Sequence, residues 1–380
     1  MALCSRFYNL SLHRRINPYS VAVLATYVHN IDPVIFSITD ALKLRWYGLA
    51  YLLAFVVGFL LLKKLGDKKL WVLPGDKASD FITFAAIFGV FLGGRIGNVI
   101  FYQWDEFVDD PLMLFRVWEG GMASHGGILG LMIFTLVYSY NKKVSWTGLG
   151  DALCVVAPLG IMFGRLANFI NGELYGRIDK TYGWAMKFPN TLFDSTAPEY
   201  EKLNAAANLA EQHDQEYATY LNELRTVQNS APGTAEYEQY VKLVNQQSAK
   251  LNESIRDNEV VRDAIGNLLE PRYPSQLFQA AGEGLGLFLI LFITRMSFRR
   301  IPHGVLTGMF FVFYAIFRIT MENFRQQETD DVAFLGIDFT MGQFLSLFMI
   351  VIGLGFIIQA YMRPRYLDDM EANQSKKEEE

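Results

Sequence analysis

The sequence predicts an all-α, polytopic membrane protein with seven transmembrane helices, its N-terminus outside, its C-terminus cytoplasmic and a helical insert on the outer side. Three observations predict this: a composition rich in apolar residues, seven long apolar segments, and the sidedness of the charges between them. Of the 380 residues, 51% are hydrophobic, 14% aromatic and only 19% charged, against roughly 25% charged in a soluble domain. The formal net charge is −5 and no element carries a dense Lys/Arg stripe, so a nucleic-acid-binding surface is excluded. Cys4 and Cys154 lie far apart, one terminal and one inside an apolar run. That argues against a disulfide framework or a metal site.

The seven segments run over 46–62, 80–102, 122–140, 147–169, 275–294, 304–323 and 341–361, each close to the roughly 20 residues that cross a bilayer. Gly93-xxx-Gly97, Gly160-xxx-Gly164 and Gly304-xxx-Gly308 have the small-residue spacing that lets helix backbones approach in lipid. Orientation follows from the connections. Lys63, Lys64, Lys68, Lys69 and Lys77 follow the first span, Lys142 and Lys143 the third, Arg295, Arg299 and Arg300 the fifth, and Arg363, Arg365, Lys376 and Lys377 the seventh. Asp105, Glu106, Asp109, Asp110 and Glu119 face a single Arg116 after the second. The positive-inside rule then sets the N-terminus outside.

Residues 191–270 differ in kind, with 14 acidic against 6 basic residues and a local balance of −8. Apolar positions recur at helical spacing around 217–224 and 237–244, and Ala231-Pro232-Gly233 breaks them, which predicts a helical hairpin. The chain thus divides into an N-terminal tail (1–30), a first transmembrane part with four spans (31–190), the insert (191–270), a second part with three spans (271–362) and a cytoplasmic tail (363–380). The tail lacks an ordered n-region, apolar h-region and cleavage site, so no cleaved secretory signal is expected.

Ionisable residues in or beside spans are costly in lipid and point to function. Here they gather at the outer ends. His125 opens the third span in Ser124-His125-Gly126-Gly127, and Tyr47 opens the first. Arg165 and Asn168, three residues apart on one helix face, close the fourth, with Glu173 following. Tyr314, Arg318, Glu322 and Arg325 form a stripe at spacings of four, four and three near the end of the sixth. Plainer roles stand beside the chemical ones: a packing histidine, an Arg318–Glu322 pair that neutralises itself, and an aromatic belt for Tyr47 and Tyr314. Arg165 has no acid one turn away, so its counter-charge comes from another helix, lipid or substrate. Arginines brought together at a membrane interface suit a phosphate through forked hydrogen bonds, and an imidazole exchanges a proton near neutral pH. Chemistry on a phospholipid head group fits that set. No GxSxG, HExxH, P-loop or GxGxxG motif suggests other chemistry.

Gly120-Gly121-Met122-Ala123-Ser124-His125-Gly126-Gly127, followed by Gly164-Arg165 through Gly176-Arg177, closely resembles the bacterial prolipoprotein diacylglyceryl transferases. So do Asp32-Pro33-Val34-Ile35-Phe36, Arg45-Trp46-Tyr47-Gly48-Leu49, Pro274-Ser275-Gln276-Leu277 and Phe317-Arg318 through Phe324-Arg325-Gln326. The resemblance covers about residues 31–362 outside the insert. It implies a multi-pass enzyme of the bacterial cell inner membrane whose active site faces the periplasm and lipid, which makes the insert a periplasmic helical one. It implies transfer of the diacylglyceryl group of phosphatidylglycerol to the lipobox cysteine of a prolipoprotein signal peptide, with release of glycerol 1-phosphate and no metal or organic cofactor. The family's essential His falls on His125 and its lipid-binding Arg on Arg165; its other important positions fall on Tyr47, Asn168, Glu173, Gly176, Tyr314, Arg318 and Glu322. Where the family commonly has His-Pro-Ser-Gln-Leu-Tyr-Glu, this chain has Tyr273 first and Gln279 last, and its insert is longer than the usual connection. The competing classes are a secondary transporter or channel for an anionic substrate and a membrane scaffold docking partners through the insert.

Overall fold

The computed structural model describes residues 27–37, 43–116, 120–179, 184–326, 332–334 and 337–367. Most of the N-terminal tail, Glu119 and the end of the cytoplasmic tail lie outside the described residues. The chain is mostly helical. Two short strands, β1 (Val34–Ser37) and β2 (Lys43–Arg45), precede α1 (Trp46–Asp67). There follow α2 (Gly75–Tyr102), α3 (Ser124–Lys142), α4 (Trp146–Ile170), α5 (Leu203–His213), α6 (Gln215–Val227), α7 (Ala235–Asp257), α8 (Glu259–Gly266), α9 (Ser275–Ser297) and α10 (Val305–Glu322). An antiparallel pair, β3 (Val332–Phe334) and β4 (Ile337–Phe339), with Val332 opposite Phe339, leads into α11 (Met341–Met362).

Seven spans are expected from the sequence. Among the described residues six helices, α1, α2, α4, α9, α10 and α11, are long and apolar enough to cross a membrane. The segment at 122–140 forms α3, a helix of 19 residues whose ends, Ser124-His125 and Asn141-Lys142, dilute an apolar middle at 128–137. By length alone that middle falls short of a bilayer's hydrocarbon.

The residues fall into two compact units. One comprises the described residues among 36–167, 277–323 and 329–380. Its tightest core gathers Leu62, Leu65, Phe81, Leu149, Val155, Leu287, Leu291 and Leu306, all fully buried. These lie toward the helix ends that carry the basic connections. Elsewhere the helices expose apolar side chains such as Leu52, Phe88, Ile133 and Val351, as a lipid-facing surface does. Glycines set the closest helix crossings. A Cβ on Gly93 would lie 2.6 Å from Gly126 O and 2.8 Å from Gly130 Cα, and one on Gly308 would lie 2.5 Å from Gly353 O. The third expected glycine pair does something else: Gly160 meets nothing closer than Ala54 Cβ at 3.9 Å, and Gly164 meets nothing within 4 Å. Gly164 thus leaves open space one residue before Arg165. Asp151, in the first turns of α4, accepts hydrogen bonds from the amides of Gly304 and Thr307 and from the Thr307 hydroxyl, each at 2.8 Å. It thereby satisfies amides at the start of α10, which has no side-chain cap of its own.

The other unit comprises the described residues among 1–35, 168–276 and 324–328. A single hairpin is expected in the insert, and four helices are present. They enclose a core of Leu192, Ala206, Ala210, Tyr217, Leu251, Ile255, Val261 and Ile265. The two extra helices are short, and α5 presents alanines, which leave a weak apolar stripe in the sequence. Side chains cap three of the four. Asp214 accepts from the amides of Glu216 and Tyr217, Thr234 from Tyr237, and Asn258 from Val260 and Val261.

His29 docks into this unit. Its amide donates to Lys187 O at 2.8 Å, and its ring stacks on Phe188 at 5.6 Å and meets the edge of Phe169 at 5.3 Å. Burial pushes its pKa down to about 4, against an opposing hydrogen bond to the Phe169 backbone. The folded unit therefore holds His29 neutral, while the unfolded chain takes up a proton near pH 6.5. This stability is present above about pH 6.5 and is lost as pH falls from there to about 4, amounting to about 3 kcal/mol in full. Unfolding midpoints at pH 7.5 and pH 5 are expected to differ less in His29→Phe than in the native chain. An equal difference in both would remove His29 as the cause.

Candidate active site

The first cluster of functional side chains is built by α4, α9 and α10. Arg318 and Glu322 lie one turn apart near the end of α10 and pair at 3.1 Å, Nη2 to Oε2. Glu283 joins them from α9. A π-helical turn spans Ala280–Gly286, the kind of helix irregularity often met at functional sites. Glycines on both sides of Glu283 let α9 come close to its neighbours. A Cβ on Gly284 would lie 2.6 Å from Met162 Cβ, and one on Gly282 would lie 2.9 Å from Met321 Cε. Glu283 is 0% exposed and faces two guanidiniums, Arg165 Nη2 at 3.7 Å and Arg318 Nη1 at 3.8 Å.

The counter-charge of Arg165 is therefore on another helix. Sequence reasoning missed Glu283, although an acid inside an apolar span between two glycines was the available signal. Gly342, at the start of α11, closes the other side, since a Cβ there would lie 3.1 Å from both Arg318 Nη2 and Glu322 Oε1. Two arginines and two carboxylates leave the cluster formally neutral. Arg318 Nη1 is buried and makes no hydrogen bond among the described residues. Such an arrangement can receive an oxyanion: its N–H groups converge, and one is unspent.

Arg325 does not extend this stripe. The helix ends at Glu322, the chain turns at 323–324, and Arg325 instead bridges Gly176 in the other unit. Tyr314 stacks on Phe310 at 5.8 Å with the rings 13° apart, and Tyr47 meets the edge of Tyr51 at 5.2 Å.

His125 lies exposed in the first turn of α3. No hydrogen bond or ion pair joins it to Arg165, Arg318 or Glu283 among the described residues. Its position is set by a second residue missed from the sequence, Arg95 on α2. This buried guanidinium donates to the carbonyls of Leu114 at 3.2 Å, Gly121 at 3.1 Å and Arg116 at 3.3 Å, and also to those of Met113 and Gly120. The carbonyls of Met113, Leu114, Arg116, Gly120 and Gly121 thus gather around one cation. Gly121, at φ +79°, leaves no room for a Cβ, which would lie 2.6 Å from Arg95 Nη1.

The remaining predicted residues form their own cluster in the other unit. Asn168 Nδ2 donates to Glu173 Oε1 at 2.7 Å, and Asn171 Nδ2 donates to the same oxygen at 3.3 Å. Gln276 and Ser275 hold the following turn through Glu173 O at 2.7 Å and Leu174 O at 2.9 Å. Gly176 is pressed between chain segments. Its amide donates to Tyr273 O at 2.9 Å, and a Cβ would meet both Phe324 O and, at 2.6 Å, Tyr273 O. Arg272 ties these strands together by donating to Gly176 O and Gln326 Oε1, both at 3.2 Å, while Glu199 holds its guanidinium at 2.7 and 3.1 Å. Beside them a cavity of about 310 Å³ is lined by residues including Glu173, Tyr175, Asn190, Phe193, Asp194 and Gln326. In its wall the Tyr175 hydroxyl donates to Asp194, and burial raises the phenol's pKa.

Apolar helices of membrane-spanning length, with two arginines and two carboxylates gathered among three of them, define the class as a polytopic membrane protein. The profile of the prolipoprotein diacylglyceryl transferase family matches residues 33–359. A phosphatidylglycerol–prolipoprotein diacylglyceryl transferase of Bdellovibrio bacteriovorus is 39% identical over 334 residues, covering 86% of this chain and 92% of the relative. Proteins of the same description from Escherichia fergusonii and Paraburkholderia xenovorans are 33% and 34% identical, over 89% and 88% of this chain and 97% and 95% of theirs. The chain belongs to the prolipoprotein diacylglyceryl transferase family.

Proposed function

We propose that this chain transfers the diacylglyceryl group of phosphatidylglycerol to the lipobox cysteine thiol of a prolipoprotein, releasing glycerol 1-phosphate. The observation that carries the reading is the convergence of Arg165 and Arg318 on one buried carboxylate. It works from the bacterial inner membrane through seven spans, α3 included, with the N-terminus outside and the site open to the periplasm. The basic connections after α1, α3, α9 and α11 support that orientation.

In the reaction the cysteine S–H bond breaks and its proton passes to a base, for which His125 is the candidate. The thiolate, the reactive form of cysteine, attacks the glyceryl carbon that bears the phosphate. A C–S bond forms there as the C–O bond breaks, and its electron pair stays on the phosphate oxygen. The phosphate passes from one negative charge to two, and Arg165 and Arg318 stabilise what develops. Glu322 holds Arg318 in place. Asn168 and Glu173, with Gly176 and Arg325, shape the segment after α4; Tyr47 stands in the first turn of α1 and Tyr314 one turn before Arg318 on α10.

Incubating the purified chain with phosphatidylglycerol and a lipobox peptide is expected to yield a peptide heavier by one thioether-linked diacylglyceryl group. A transporter, channel or scaffold leaves the peptide unmodified. His125→Gln is expected to slow transfer by about 10²-fold, the lower end of what a positioned base contributes. Transfer at the native rate would remove His125 as the base.

A further inference from the structure

We propose that Glu283 is a positioning residue for the arginine pair: one shared counter-ion that holds both guanidiniums toward the point where the lipid phosphate enters. The inference rests on the reading of the site given above. Three observations carry it. The carboxylate is completely buried, yet it lies within ion-pair distance of two arginines that come from different helices. Its separations of 3.7 and 3.8 Å are longer than a hydrogen bond, so it attracts both cations without using up their N–H groups. Its place is built rather than incidental, because the π-helical turn and the flanking Gly282 and Gly284 bring α9 against Met162 of α4 and Met321 of α10.

A carboxylate removed from water is costly unless cations compensate it, and two guanidiniums left facing each other repel. Each partner thus requires the other. Without lipid, Glu283 cancels a charge that would otherwise push Arg165 and Arg318 apart. When a phosphodiester arrives, the arginines are already convergent and Arg318 Nη1 makes no hydrogen bond among the described residues, so little rearrangement is needed as charge grows on the leaving phosphate. The same carboxylate keeps the site from holding the product too tightly. With two carboxylates beside two guanidiniums, the departing phosphate monoester meets a formally neutral set and not a net cation.

The test compares the full-length purified chain with Glu283→Gln and Glu283→Asp, reading kcat, KM for phosphatidylglycerol and inhibition by inorganic phosphate. Glu283→Gln keeps the shape and removes the charge. Its kcat is expected to fall by about 10²-fold, the scale of a misplaced catalytic group, while phosphate inhibits at lower concentration than in the native chain. Glu283→Asp is expected to restore the native phosphate sensitivity but only part of kcat, because the shorter carboxylate no longer reaches both arginines. A Gln variant with native kcat, or one that loses kcat while phosphate inhibits less well, overturns the proposal. If the Gln variant does not fold, the Asp variant decides, and full native kcat there overturns it. Failure of the native chain to lipidate the peptide would sink the functional reading. Direct phosphate binding to the native and Gln proteins, measured by calorimetry, then still decides the inference: tighter binding in the Gln protein supports it, and equal or weaker binding overturns it.

Discussion

Arg165→Lys is expected to lower kcat/KM for lipid transfer by about 10²- to 10³-fold, the cost of removing one donor from a developing oxyanion. Lysine preserves the charge, so electrostatics alone predicts a small change. The geometry predicts a large one. Arg165 Nη2 already faces Glu283 at 3.7 Å, and its other N–H groups remain for a phosphate because a guanidinium is a planar fork. An ammonium is a compact point charge on a flexible stem and cannot serve both partners in fixed directions. The side chain is also 22% exposed, against 13% for Arg318, and Gly164 beside it leaves open space. Arg165 is thus the more accessible of the two arginines. Turnover assays at saturating and limiting phosphatidylglycerol separate the outcomes. Native values of kcat and KM in Arg165→Lys would show that the forked contact contributes nothing.

The sequence carried much of the architecture because a bilayer imposes a length. Apolar runs near 20 residues and basic connections need no knowledge of packing, and six helices lie where those runs predict. The site was legible only as separate residues. Arg165 stood out because no acid lies one turn away, but its partner is on another helix, and helical spacing cannot reach across helices. Arg95 was invisible for a different reason. Its partners are backbone carbonyls, which every residue has and no residue type advertises. The reverse error occurred at Arg325. The stripe from Tyr314 to Glu322 continues at helical spacing, and neither Gly nor Pro marks the stop, yet the helix ends at Glu322. Periodicity persists in sequence beyond the point where backbone hydrogen bonds turn elsewhere. In the insert the two long stripes were readable, while alanine-rich α5 was not, because small side chains bury without leaving a strong apolar pattern.

Glu199→Gln is expected to destabilise the unit built on residues 168–276 by about 3–5 kcal/mol, the cost of stranding one partner of a buried ion pair. Arg272 is 1% exposed and Glu199 is fully buried, so no water replaces the lost charge. Both carboxylate oxygens hold the guanidinium along its Nε–Nη2 edge, and it also lies 5.1 Å from the Tyr175 ring. Joint replacement, Glu199→Leu with Arg272→Met, fills similar volume with apolar atoms, and buried pairs replaced in this way often recover stability. Activity follows a different course. Arg272 also donates to Gly176 O and Gln326 Oε1, and methionine cannot, so the strands carrying Gly176 and Arg325 lose the group that fixes their register. The double variant is therefore expected to unfold near the native temperature and still to transfer lipid slowly, whereas Glu199→Gln loses on both counts. Thermal unfolding and peptide lipidation measured on the same preparations give the answer. A double variant with native transfer would reduce Arg272 to a role in stability alone. One that unfolds as early as Glu199→Gln would mean that the buried charge pair itself, and not the volume it fills, holds the unit together.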